Sequence, residues 1–285
     1  MSPLTRPQRL YLGAVAVLAL WVGIWCYFVP GHSDMAIPWR VPPLCAAFLG
    51  AMYLSAAVFC GSAMLARRWT DVRVVMPMIA MWTGGLTIIS LFYWPLFDFA
   101  RLPVWVWFIA YIVYPLIALG LLWTHRAQRA AHPLDEPALP GWARRYLLLQ
   151  AVGMIGLGVA LLSAPELMLR LWPWQTGRLM LQLYSAPLLA YGLGSLILRR
   201  QRAWSEIRLG LLAMAVFTGA GLIGMLRAPG LLNGPVMAVI VWLGWLAITT
   251  SILALMTWRA FQPAGQPGAA WLLGALNRSI ERRPA

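Results

Sequence analysis

Eight apolar runs, each about 20 residues long, limit what this chain can become. They fall at roughly 10–29, 43–66, 73–94, 103–123, 146–164, 179–198, 208–227 and 235–258, and about 20 apolar residues span the hydrocarbon layer of a bilayer as a helix. Lipid offers backbone N–H and C=O groups no hydrogen bonds, so a spanning segment must satisfy them within itself. The runs do not alternate in polarity as barrel strands do. Composition agrees: the chain is 61% hydrophobic and 11% charged, whereas a soluble surface carries roughly a quarter or more of charged residues. The expected fold class is an all-α membrane protein.

The runs occur as two sets of four. Trp69-Thr70-Asp71-Val72-Arg73 returns 135 positions later as Trp204-Ser205-Glu206-Ile207-Arg208. The same offset pairs Tyr11 with Tyr146, Gly23 with Gly158, Pro30 with Pro165, Pro38-Trp39 with Pro173-Trp174, and Thr83-Gly84 with Thr218-Gly219. No gap is needed from Arg9/Arg144 to Ile88/Ile223. An internal repeat of this kind implies tandem duplication. Residues 1–130 form the first four-helix repeat, 131–145 a linker, 146–260 the second repeat and 261–285 a tail. Pro133, Pro137, Pro140 and Gly141 interrupt regular structure in the linker. In the tail, Leu272, Leu273, Leu276 and Ile280 suit either a short amphipathic helix on the membrane surface or a disordered end.

Net charge is +14, and all 22 basic residues are arginine. Seventeen of them fall in one set of connecting segments; only Arg40, Arg101, Arg170, Arg178 and Arg227 fall in the other. The positive-inside rule then places both termini in the cytoplasm. Four spans per repeat is an even number, so both repeats insert in the same orientation, related by a pseudo-twofold axis along the membrane normal. The Arg-only, Ala/Leu/Gly/Trp-rich usage resembles that of GC-rich bacteria and suggests a bacterial inner membrane. Dispersed arginines without a basic-aromatic motif argue against nucleic acid as a partner.

Chemistry-bearing residues are sparse. No Asp, Glu, His or Arg falls mid-span; ion-coupled carriers and proton relays keep such groups at depth, and paired histidines for a haem are missing. There is no lysine for a Schiff base, no GxSxG elbow, and no HExxH or CxxC. His32 and Asp34 alone are too few to hold a metal. No cofactor or catalytic set is expected. Cys26, Cys45 and Cys60 are expected as free thiols packed among apolar side chains.

Two constellations remain. The repeated Trp69/Asp71/Arg73 and Trp204/Glu206/Arg208 segments open the third helix of each repeat. Thr70 or Ser205 suits the N-cap, the carboxylate the positive helix end, and Trp and Arg the headgroup layer. The same residues suit paired cytoplasmic docking of a membrane-protein partner. On the outer face the duplication breaks down: His32, Asp34 and Asp98 align with Leu167, Leu169 and Asn233. There His32, Asp34, Trp39, Arg40, Trp94, Asp98, Arg101 and Trp105 form the candidate ligand site. Trp25, Trp107, Trp172 and Trp174 lie on the same side, either as an aromatic belt or as walls for an amphipathic ligand. Thr83-Gly84 and Thr218-Gly219 read as close-packing surfaces. Pro77, Pro115 and Pro187 predict kinks. The expected function is binding or transport of a hydrophobic or amphipathic small molecule at an outer-face site between the repeats. A non-catalytic scaffold subunit of a membrane complex is the alternative.

Overall fold

A computed structural model of the chain describes residues 3–67, 69–126 and 138–262, except for the side chains of Thr70 and Asp71. Most of the expected linker and the whole amphipathic stretch of the tail lie outside the described residues. Eight long apolar helices cross the molecule: α1 (Arg6–Phe28), α2 (Pro43–Met64), α4 (Val75–Phe92), α5 (Leu102–Thr124), α6 (Gly141–Ser163), α8 (Arg178–Leu198), α9 (Trp204–Leu226) and α10 (Val236–Ala260). Two short helices, α3 (Trp69–Val72) and α7 (Pro165–Leu171), and three 3-10 turns complete the described residues. Several helices run past the apolar stretches into arginine: α1 takes in Arg6 and Arg9, and α6 takes in Arg144 and Arg145 of the expected linker. The helices therefore extend beyond their apolar stretches.

Proline sets most of the starts. Pro7, Pro43, Pro103 and Pro165 occupy first-turn positions, where a missing N–H costs nothing. Pro77 also falls in the first turn, of α4, so it requires no kink. Pro115 lies inside α5 and frees the carbonyl of Tyr111. Thr87 on α4 donates its hydroxyl to that carbonyl, as buried backbone in lipid demands.

Helix ends recur at the offset seen in the sequence. The starts of α1, α2 and α3 and the 3-10 turn Trp94–Leu96 are matched at 135 residues by α6, α8, α9 and Pro229–Leu231. Single contacts recur with them. Leu4 N–H donates to Arg67 O at 3.1 Å, and Leu139 N–H to Arg202 O at 2.6 Å. Gly23 lies against Leu54, and Gly158 against Leu189. Packing is reciprocal: α1 lies on α2 as α6 lies on α8, and α5 on α4 as α10 on α9. The third long helix of each half packs on the second helix of the other, α9 on α2 and α4 on α8. The halves differ where α3 and α4 are separated at Arg73–Val74, a break that the continuous α9 lacks.

α2 and α8 are the central pair, with 67% and 72% of their membrane-length windows buried, against 22% for α10 at the rim. Tyrosine hydroxyls lace the halves together: Tyr184 donates to Cys45 O at 2.9 Å, Tyr27 to Ala220 O at 2.8 Å and Tyr191 to Ser55 Oγ at 2.6 Å. Ser55 passes its proton to Ala213 O at 2.5 Å. Phe48 of α2 touches the rings of Trp172, Trp174, Tyr184, Phe217 and Trp242. The three cysteines are free and buried.

Close backbone approach is the test of this packing. A Cβ on Gly50 would stand 2.6 Å from Tyr27 N, whereas one on Gly61 would meet nothing within 4 Å. Gly50→Ala is expected to cost about 2 kcal/mol through overpacking, and Gly61→Ala to stay within about 0.5 kcal/mol of wild type. Thermal unfolding of the purified protein in detergent measures both.

Candidate functional site

Six of the eight candidate-site residues divide into a clamp and an aromatic cluster. Asp34 lies in the 3-10 turn Pro30–Met35 and its carboxylate meets Arg40 Nε at 3.0 Å, with Arg101 Nη2 at 3.8 Å. Arg101, just before α5, also donates to Pro38 O at 2.8 Å and Asp34 O at 2.9 Å. One guanidinium thus ties the loop between α1 and α2 to the start of α5. The hydrogen bond from Arg40 holds the Asp34 carboxyl below the usual carboxylate range. A depressed carboxylate contributes stability above its unfolded value and loses it as pH falls through its folded value, so the ion pair weakens only in acid.

Asp98 is spent locally, its carboxylate accepting from Ala100 N–H at 3.0 Å. His32 is exposed and joins neither group. Trp39 packs edge-on against Phe97 and Trp107, Trp94 against Phe99 and Phe108, and Trp105 donates its indole N–H to Phe99 O at 2.8 Å. Trp107, Trp172 and Trp174 are not belt residues: they are 4%, 1% and 2% exposed. The Trp172–Trp174 segment turns inward and stacks on α2, α8 and α10. The indole N–H groups of Trp39, Trp172 and Trp174 have no partner among the described residues.

The repeated segment at the opposite end does not present its tryptophan. Trp69 is 2% exposed and stacks on His125 with ring centroids 4.4 Å apart. Trp204 packs beside Trp142. Ser205 is not the N-cap; that residue is Ala203, and Glu206 reaches back to accept from Arg202 N–H at 2.7 Å and Ala203 N–H at 3.1 Å. A longer carboxylate at the third helical position does the capping. Arg208 lies over the Phe261 ring at 5.8 Å. The Asp71 side chain, and with it the Asp71 part of the docking expectation, lies outside the described residues.

Sequence reasoning passed over an interior cleft. Near the middle of the helices, α1, α2, α4 and α5 leave a small, partly open cavity of about 50 Å³, closed on one side by Tyr191 of α8. Val15, Ala56, Phe59 and Ile79 make most of it apolar, and Tyr53, Tyr111, Trp82 and Thr83 also line it. Thr83 is satisfied by its own helix, donating to Ile79 O at 2.6 Å. The hydroxyls of Tyr53 and Tyr111 bond to each other. Two hydroxyls carry two protons and the bond between them uses one, so a donor is left over in an apolar space. Along one side, α1 and α5 meet at Tyr11, whose hydroxyl donates to Tyr114 O at 2.7 Å, and make little further contact. The sequence signal for this cleft was the hydroxyl-bearing rings of Tyr53 and Tyr111 inside apolar spans, yet nothing in their spacing joins α2 to α5.

No group of three or more potential metal ligands occurs among the described residues. No protein-family model, curated protein or solved structure matches the chain.

The clamp generates a ranking. Arg101→Ala removes two backbone bonds and should cost about 1–2 kcal/mol. Asp34→Asn leaves those bonds in place and should cost less than about 1 kcal/mol. Unfolding midpoints of the two variants at neutral pH test the order.

Proposed function

We propose that this protein is a multi-pass membrane protein that binds a mainly apolar small molecule carrying one hydrogen-bond acceptor, in the cleft between Tyr53 and Tyr111. The unspent hydroxyl proton of that pair carries the reading. In hydrocarbon such a donor seeks an acceptor, and a guest with a carbonyl, ester or ether oxygen supplies one. Few convergent polar groups in an apolar wall are typical of small-molecule sites, and a cavity of about 50 Å³ takes the polar end of such a guest while its apolar part lies between α1 and α5. Entry is from the bilayer between α1 and α5, where contact is sparse. The outer-face residues then act as a frame: Asp34, Arg40 and Arg101 hold the end of α5, which carries Tyr111.

The architecture behind this reading is a fused pair of four-helix units. Matching helix ends, the paired Leu4/Leu139 hydrogen bonds, the Gly23/Gly158 contacts and the reciprocal helix packing support duplication. The two units share one orientation, related by a pseudo-twofold axis along the membrane normal. With the arginine-rich ends inside, both termini face the cytoplasm of a bacterial inner membrane. Duplication also explains why the cleft occurs in one half. At the equivalent positions of the second half, Val15 becomes Gln150, Tyr53 becomes Leu188 and Tyr111 becomes Leu246, so the tyrosine pair is missing.

Purified protein should gain thermal stability with a long-chain methyl ester or a polyprenyl quinone, and gain less with an alkane of equal length. Replacing both partners of a buried hydrogen bond by apolar groups of the same shape is nearly neutral. The double variant Tyr53→Phe/Tyr111→Phe should therefore fold normally and treat ester and alkane alike. Equal stabilisation by ester and alkane in the wild type would sink the reading. Reporter tags on the two ends test the topology and should report the same side of the membrane.

A further inference from the structure

At the arginine-rich end of the bundle, a second space of about 320 Å³ opens between the start of α4 and the ends of α5 and α8. Arg73 and Arg126 line it, with Trp69 and His125 behind them and Leu122 and Ile197 as its apolar wall. The Arg73 side chain makes no hydrogen bond or ion pair among the described residues. Arg126 rests on the Trp123 ring at 4.2 Å and donates one N–H to Trp123 O at 3.0 Å, which leaves most of its five donors free. His125 is occupied: Nδ1 lies 3.0 Å from Leu121 O and Nε2 3.2 Å from Gln8 Nε2. A neutral ring, donating through Nδ1 and accepting through Nε2, satisfies both contacts. Its stack on Trp69 makes it a wall, not a ligand. Among the described residues the lining contains no carboxylate. Two guanidinium groups therefore share a notch with no balancing anion among the described residues.

The other half of the chain supplies an internal control. At the 135-residue offset, Arg73 becomes Arg208, His125 becomes Ala260 and Arg126 becomes Phe261. There the Arg208 guanidinium lies over the Phe261 ring, so one half covers its arginine with an aromatic ring where the other sets a second arginine. We propose that the Arg73–Arg126 notch binds the phosphate of an anionic phospholipid, with an acyl chain running along Leu122 and Ile197. Guanidinium forks match phosphate oxygens in pairs, and basic pockets between membrane helices on the arginine-rich side take such headgroups. An apolar wall leading away from the two charges fits a lipid better than a free ion. This site is separate from the tyrosine cleft and stands or falls without it.

Native mass spectrometry of the detergent-purified protein reads the outcome, with phosphatidylglycerol and phosphatidylcholine supplied in equal amounts. Wild type should retain phosphatidylglycerol preferentially. Arg73→Gln/Arg126→Gln should lose that preference by about tenfold, since each surface arginine contributes modestly to anionic-lipid binding. Arg208→Gln should keep it. Arg73→Lys/Arg126→Lys, which preserves charge, should retain part of it and shows that the glutamine variant fails by losing charge. Equal retention by wild type and Arg73→Gln/Arg126→Gln overturns the proposal. Stabilisation by inorganic phosphate as large as that by phosphatidylglycerol overturns the lipid assignment and makes the ligand a soluble anion.

Discussion

Lipid outside a bundle removes the ordinary reason for helices to pack. Acyl chains are as apolar as leucine, so association must come from close contact and from polar bonds between helices. In this chain both are concentrated on α2 and α8. Gly50 lets α2 approach the backbone of α1 at Tyr27, and Gly192 lets α8 approach Ile155 of α6. From these two pairs the tyrosines at 27, 184 and 191 reach across to carbonyl or hydroxyl oxygens of the opposite half. Each half on its own would leave these donors unsatisfied, which is why the two belong to one folded body.

Reciprocity of packing does not mean equality of chemistry. The third long helix of each half lies on the second helix of the other, but the side chains in equivalent places differ. Phe48 gathers five aromatic neighbours at one level, whereas its counterpart, Leu183, has no ring to offer. The tyrosine pair and the paired arginines both come from the first half, with Tyr191 and Ile197 of the second half completing the walls. In the second half, Leu246 and Phe261 hold the equivalent places of Tyr111 and Arg126.

Reading residues in order located the helices well but not which side chains meet across them, for a common physical reason. Helix length and apolarity are local, and lipid leaves no alternative way to satisfy the backbone; the eight runs therefore became eight helices. Conspicuous polar residues were the natural candidates for function, yet Asp34, Arg40 and Arg101 largely satisfy one another and Asp98 closes its own turn. Trp172 and Trp174 looked like belt residues because composition cannot tell a ring facing lipid from one folded inward beneath Gly234, where a Cβ would stand 2.2 Å from Trp172 O. Tyr53 and Tyr111 attracted no notice, being 58 residues apart on helices whose adjacency no local pattern encodes.

Sequence alone determined the number of helices, their approximate limits, the lack of charge at mid-depth and the 135-residue correspondence between the halves. Each follows from one residue's own chemistry or from comparing two stretches position by position. Only tertiary structure decided that α9 lies on α2 and α4 on α8, that Trp69 is buried, that two tyrosine hydroxyls share one bond, and that Arg73 and Arg126 face a common space. Those facts depend on distances between segments far apart in the chain. In a bundle whose helices are all apolar on every side, no periodicity selects which face meets which neighbour.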